Sequence, residues 1–327
     1  TAPQPGQRGG SAKSTICRTA PRARRAVEAM RSLFPGAHRC TSPAVSTDLP
    51  FDRALPRVRR DRAARSFGEA DYLHRMAADE LLERLSLVKR RFSEALLLGF
   101  PALLAESLRA QDMKVTEADS GALFAANGVQ CDEDRLPFGE AVFGLVISLG
   151  VIDSINDLPG ALTLIRRSLR PDGLFLAAFA GAGSLARLKS AMFAADEAEG
   201  AAVAARIHPQ IDVRAAGDLL GRAGFALPVD DVEEVAIRFP TFARLVDDLR
   251  TMGATNILAS RSRRPIGRAG LAAGALNFCA PGDPDGKTSE RFALIYMAAW
   301  APSPDQPRPA PRGRATRSLA AELKQPR

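Results

Sequence analysis

Between positions 131 and 179 the chain alternates apolar and polar blocks in the order strand, helix, turn, strand. Residues 142–147 are apolar except for one glycine, a run short enough for a strand covered on both faces. Asn156 and Asp157 are cap residues for a helix with apolar positions at Leu162, Ile165 and Leu169. The turn Arg170-Pro171-Asp172-Gly173 stops that helix, and 174–179 is a second buried strand. Such a unit is a parallel crossover. Elsewhere the spacing predicts a helix over 62–87, carrying Leu73, Met76, Leu81, Leu82 and Leu85, and a strand over 95–98. A helix over 103–110 and a strand over 114–118 follow, then an alanine-rich helix over 185–206 and a capped helix over 212–222. The pattern closes with a strand at 232–239, a helix at 245–252 and a last strand at 291–300.

Composition adds a division of the chain. Of the 327 residues, 1–48 carry a net charge of +6 and 301–327 carry +4, which leaves −2 on 49–300 of the total of +8. The basic excess therefore lies in two Arg- and Pro-rich tails that read as disordered, around one folded domain at 49–300. The N-terminal stretch is either an organellar transit segment or an unstructured extension or read-through. A folded body that is slightly acidic, with one Trp and two Tyr, lacks the footprint of a nucleic-acid binder. Cys17, Cys40, Cys131 and Cys279 form no CxxC pair, which argues for a reduced compartment without a zinc site. No apolar run reaches the roughly 18 residues of a membrane span. Arginine in place of lysine and abundant alanine are the usage of a GC-rich bacterial genome, so the expected location is the cytoplasm of a bacterium, or the mitochondrial matrix if the extension is a transit segment.

Several motifs form an ordered set. They are Asp132-Glu133 followed by Leu136-Pro137-Phe138, then Phe143-Gly144-Leu145-Val146, then Leu169-Arg170-Pro171-Asp172-Gly173. This set resembles the class I S-adenosylmethionine-dependent methyltransferases. The resemblance implies an α/β Rossmann-like fold: a seven-stranded mixed sheet with helices on both faces and an antiparallel last strand. Phe51-Asp52-Arg53, the run from Arg59 to Ala64, Phe67, Tyr72-Leu73, Met252-Gly253 with Asn256, the arginines 261, 263 and 264, and a closing strand ending in Trp300 narrow it. They resemble the complex I assembly-factor branch, which includes a protein-arginine hydroxylase and biotin-synthesis-type methyltransferases. The match runs over about 51–300.

The resemblance also implies a cofactor, S-adenosylmethionine, and places for it. The family's D/E-x-G-x-G-x-G turn falls on positions 97–103, where Gly99 alone remains and Pro101 removes an N–H, so weak or lost binding is expected. Asp119, ending a strand, corresponds to the acid that accepts from both ribose hydroxyls, or else caps the next helix. Asp132 and Glu133 lie at the adenine edge, or form an exposed acidic turn. Ser148 ends the strand beside them. The family's His-Trp pair is replaced by Asp153-Ser154, and no catalytic residue is identified. Gly181-Ala182-Gly183-Ser184 is a phosphate loop or a tight turn capped by Ser184, and His208 beside Pro209 is structural or lines the substrate side. Three readings follow. One is methyl transfer to a small-molecule or protein acceptor. Another is an assembly factor of hydroxylase type acting on a respiratory complex subunit. The third is a binding module that keeps the fold without the chemistry.

Overall fold

The computed structural model describes residues 49–306. Expectations for the N-terminal extension, for the tail past 306 and for Cys17 and Cys40 lie outside the described residues. In chain order the strands are β1 (Glu94–Leu98), β2 (Lys114–Asp119), β3 (Val129–Gln130), β4 (Phe143–Leu149), β5 (Leu169–Ala180), β6 (Ala226–Phe239) and β7 (Thr288–Trp300). They form one sheet in the order β3-β2-β1-β4-β5-β7-β6. The first five pair in parallel, and β7 runs antiparallel between β5 and β6. This is the expected mixed sheet with an antiparallel last strand.

Successive strand residues point to opposite faces, which sorts the apolar runs into two layers. Leu97, Leu145 and Ile147 pack on helices α2 (Tyr72–Ser86), α3 (Ala102–Arg109), α5 (Ala186–Ala198), α7 (Phe242–Thr251) and α8 (Arg268–Cys279). Leu96, Leu98, Val146 and Phe175 pack on α4 (Leu158–Ser168) and α6 (Val213–Arg222). Asp157 caps α4 through the Gly160 N–H at 2.9 Å, and Asp212 caps α6 through the Ala215 N–H at 2.8 Å. No helix among the described residues is long and apolar enough to cross a membrane.

Besides β3, for which the sequence predicted no strand, and β6, which begins at Ala226 instead of 232, four elements differ from expectation. The helix expected over 62–87 forms only as α2, from Tyr72, because its first residues belong to the end of a separate helix α1 (Ala54–Ala63) and to a 3₁₀ turn at Phe67–Glu69. The apolar periodicity used for it belongs to α2 alone. The alanine-rich helix stops at Ala198, because Asp196 turns to accept from the Ala204 N–H and from Arg206 instead of facing solvent. The Arg170–Gly173 turn lies inside β5, where Asp172 has φ 60° and the β4–β5 register shifts between Phe143 and Leu145. Helix α8 had no sequence counterpart. It is built on small residues, with Gly270 and Gly274 backed onto the Ala195 and Ala191 carbonyls of α5 at the closeness only glycine permits.

Candidate ligand site at the carboxyl edge of the sheet

The strand order reverses between β1 and β4, and there the carboxyl ends of the strands open a crevice. Registers Leu98↔Ala118 and Leu98↔Ser148 bring Gly99, Asp119 and Ser148 side by side along its floor. Gly99 takes φ 80°, and a Cβ there would stand 2.4 Å from the Leu149 carbonyl oxygen, so this glycine is required. Phe100 also sits in the left-handed region (φ 45°), a strained setting for an aromatic residue. That turn aims the Phe100 N–H at Asp119 Oδ2, 3.1 Å away, and sinks the Phe100 ring into the core at 2 % exposure.

Asp119 is filled. Its Oδ1 accepts from Arg60 Nε at 2.7 Å and the Gly121 N–H at 2.7 Å, and its Oδ2 from Arg60 Nη2 and the Phe100 N–H. Asp119 is 2 % exposed and Arg60 8 %. The Arg60 guanidinium also lies 4.0 Å above the Phe100 ring centre, which stacks on Phe67 at 4.7 Å and meets His74 at 4.1 Å and Phe124 at 5.0 Å. Burial and the neighbouring Arg60 push His74 down to about 3, so its ring is neutral at pH 7, and its buried Nδ1 has no partner among the described residues.

Arg60 belongs to a ladder. Arg53, Arg57 and Arg60 fall on one face of the α1 segment, at spacings of four and three. Arg53 forks onto Asp134 at 2.8 and 2.7 Å, and Arg57 onto Asp132 at 3.2 and 2.8 Å. The segment is also tied down by its backbone. Asn156 accepts from the Phe51 N–H and donates to the Phe51 carbonyl, Asp52 donates to the Ile257 carbonyl, and Ala259 donates to the Pro50 carbonyl. Asn156 therefore grips the arm and leaves the capping of α4 to Asp157.

Under this arm lies a cleft of about 30 Å³ between Phe51, Pro56, Ser120, Asp132, Glu133 and Asn156, room for a water or two. Burial, with Asp119 and Asp132 nearby, pushes Glu133 up to about 7 against the opposing pull of Arg60. Asp153 is pushed up by burial to about 6. Ser148 is 1 % exposed, and its hydroxyl has no partner among the described residues.

On the other side of Phe100 the crevice widens to a cavity of about 620 Å³, within the usual range of small-molecule sites. Its inner wall includes Leu73, Leu188, Leu249, Phe292 and Leu294. Its rim includes Arg59, Arg62, His208, Thr255 and Asn256. Met252 and Gly253 also line it, so the Met-Gly-x-x-Asn motif of the sequence faces this space. His208 combines the two alternatives left open: it lines the cavity, and its Nε2 accepts from the Ile257 N–H at 3.0 Å. Burial and Arg59 push it down to about 4.

The glycine turn after β5 is a structural joint. Ser184 bonds to the backbone of Ala293, accepting at 2.9 Å, and does not cap α5. The α5 amino end is capped from β7: Glu290, with no exposed surface, accepts from the Arg187 and Leu188 N–H groups at 3.1 and 2.7 Å. An internal carboxylate thus stands where the phosphate-loop alternative would put a phosphate, and Glu290 takes the capping that the tight-turn alternative gave to Ser184.

Sequence reasoning missed Arg60, His74, Arg59 and Glu290. A signal existed for Arg60, since arginines spaced four and three apart on a helix face can match a set of strand-end acids. The basic run is equally the pattern of a solvated face.

A methyltransferase domain model matches residues 102–177. The mitochondrial arginine-hydroxylase NDUFAF5 of Danio rerio is 33 % identical over 283 residues, covering 83 % of this chain and 88 % of the relative. The malonyl-[acyl-carrier protein] O-methyltransferase of a Methylovorus species is 32 % identical over 273 residues, covering 77 % and 90 %. Among solved structures, the 1,6-didemethyltoxoflavin-N1-methyltransferase of Burkholderia thailandensis aligns over 83 % of this chain and 98 % of its own, with a TM-score of 0.44 and 16 % identity. With two such relatives matched over most of their length, the chain belongs to the class I S-adenosylmethionine-dependent methyltransferase superfamily, in the branch shared by the NDUFAF5-type arginine hydroxylases and the malonyl-[acyl-carrier protein] O-methyltransferases.

Proposed function

We propose that this member of the superfamily acts as a binding factor of the complex I assembly type. Its working part is the acceptor-side cavity, and its cofactor half is closed. The observation that carries this reading is the filled carboxylate of Asp119. Four donors already occupy its two oxygens, so ribose hydroxyls could bind only by displacing the buried Arg60. Two further features support a closed cofactor half: the buried Phe100 ring fills the turn where the resemblance puts the methionine moiety, and the cleft beside Glu133 is far smaller than an adenine. The similarity to a mitochondrial arginine-hydroxylase supports a protein partner, and the assembly-factor resemblance makes a respiratory complex subunit the candidate, in a mitochondrial matrix or, on the composition, a bacterial cytoplasm.

A second reading is methyl transfer to a small acid or protein. Gly99, Asp119, Asp132, Glu133 and Ser148, at the strand ends and in the turn beside them, support it as cofactor residues that withdrawal of α1 would uncover.

Calorimetric titration with S-adenosylmethionine and S-adenosylhomocysteine separates the two. The closed reading expects a Kd at or above about 1 mM, roughly −4 kcal/mol. It also expects Phe100→Ala with Pro101→Gly to tighten binding at least tenfold, about 1.4 kcal/mol, since ring and proline obstruct the turn. Micromolar binding by the wild type would overturn it and put methyl transfer first.

A further inference from the structure

The charges around the large cavity do not cancel. Arg60 is neutralised by Asp119, Arg206 by Asp196 and Arg250 by Asp247. Arg59 and Arg62 have no carboxylate within ion-pair distance among the described residues. The nearest candidate for Arg59, Asp52, is engaged by Arg261 instead. Arg59 is half-buried, and its Nη1 donates to the Thr255 hydroxyl at 2.7 Å, which holds the guanidinium against the rim. Desolvation, Arg261 and Arg62 all depress its pKa, so the protein bears the cost of holding this cation among cations. Such a cost in a body with a net charge of −2 is relieved by an anion. The one carboxyl lining the cavity among the described residues is Asp153, itself raised towards its neutral form by burial. Behind the basic rim the wall is aliphatic and aromatic, from Leu73 and Leu188 to Leu249, Phe292 and Leu294.

We propose that this cavity holds an amphipathic anion, an unbranched aliphatic chain ending in a carboxylate or phosphate, with its head group on Arg59 and Arg62 and its chain along the Leu73–Leu294 wall. The proposal rests on the reading of the acceptor-side cavity as the working site. A cationic side chain would meet two arginines without counter-charges at the rim, so a guanidinium ligand is disfavoured here. The shared chemistry is one anionic head on an apolar body, and a neutral chain of the same length lacks the part that the rim recognises.

The test titrates the full chain with decanoate, decyl phosphate, 1-decanol and decylamine, by calorimetry and by thermal shift. At least one of the two anions is expected to bind tenfold or more tighter than the alcohol and the amine, and the better anion identifies the head group. Arg59→Gln is expected to remove most of that preference while leaving weak binding of the alcohol unchanged. Leu188→Trp is expected to weaken all the chains by filling the wall. Urea midpoints close to wild type establish that each variant is folded, and Arg59→Lys serves as a charge-retaining second variant should Arg59→Gln fall short of that. Equal binding of decanol and decanoate, a preference for decylamine, no binding of any chain, or an anion preference that survives Arg59→Gln would each overturn the proposal. Micromolar S-adenosylmethionine binding would fell the closed-cofactor reading while leaving these outcomes as they are.

Discussion

The guanidinium of Arg60 forks onto the carboxylate of Asp119, 59 positions later in the chain, and the two charges are almost wholly withdrawn from water. This pair bars the arm α1 across the place where the superfamily resemblance puts a cofactor ribose. Removing one partner of a buried pair strands the other charge. Arg60→Met and Asp119→Leu are therefore each expected to destabilise the fold by about 3–5 kcal/mol, and the two together by much less than the sum of the single changes. Urea unfolding of the four-member cycle measures this, and additive losses would show that the two side chains do not depend on each other.

Glu133 supplies a pH signature. Its folded pKa of about 7 lies above the ordinary 4.5, so the folded state holds a proton that the unfolded chain releases. Its contribution is fully present below about pH 4.5 and is lost as pH rises through 7. Glu133→Gln removes that loss. The variant is expected to gain on the wild type between pH 5 and pH 8, by on the order of 1–3 kcal/mol at the upper end. Melting curves across that range check it, and a difference independent of pH would mean that Glu133 titrates normally. His74 has the opposite sign, with stability rising from about pH 3 to 6.5, but it is common to both proteins and cancels in the comparison.

Gly99→Ala is expected to cost about 2–3 kcal/mol or more. The position combines φ 80° with a Cβ that would fall 2.4 Å from a backbone oxygen and 2.6 Å from Val151 Cγ1, and backbone in the middle of a sheet cannot yield cheaply. Denaturant titration reads the cost, and a loss under 0.5 kcal/mol would show that the turn relaxes.

Glu290→Ala should loosen the joint between β7 and α5. The carboxylate accepts from the N–H groups of Arg187, Leu188 and Arg291, and among the described residues no other acceptor reaches the first two. A loss of about 1.5–3 kcal/mol is expected, the range for hydrogen bonds to a charged group. Hydrogen exchange at Arg187 and Leu188 should quicken more than at the β1 amides, and unchanged protection there would assign the capping of α5 to other groups.

The fold was legible because it rests on local repetition. Apolar runs at 95–98, 142–147 and 174–179, the cap at Asp157 and the glycine at 99 each state their own backbone geometry, and the topology came from the family resemblance that the ordered motifs carry. Even the departure of the glycine turn could be read, since Phe100 and Pro101 advertise a missing Cβ-free surface and a missing N–H. What occupies Asp119 was not legible, because it depends on pairs far apart in the chain. Arg60 and Asp119 look like a solvated cation and a strand-end acid until the sheet brings them together, and Glu290 becomes a helix cap only when β7 lies beside α5. Asp132 is likewise an acid in a turn until Arg57 lands on it. Periodicity and capping are properties of neighbours in sequence, which the chain writes openly. Ion pairing and burial are properties of neighbours in space, and for this protein those neighbours determined whether Asp119 faces a ligand or one of the chain's own arginines.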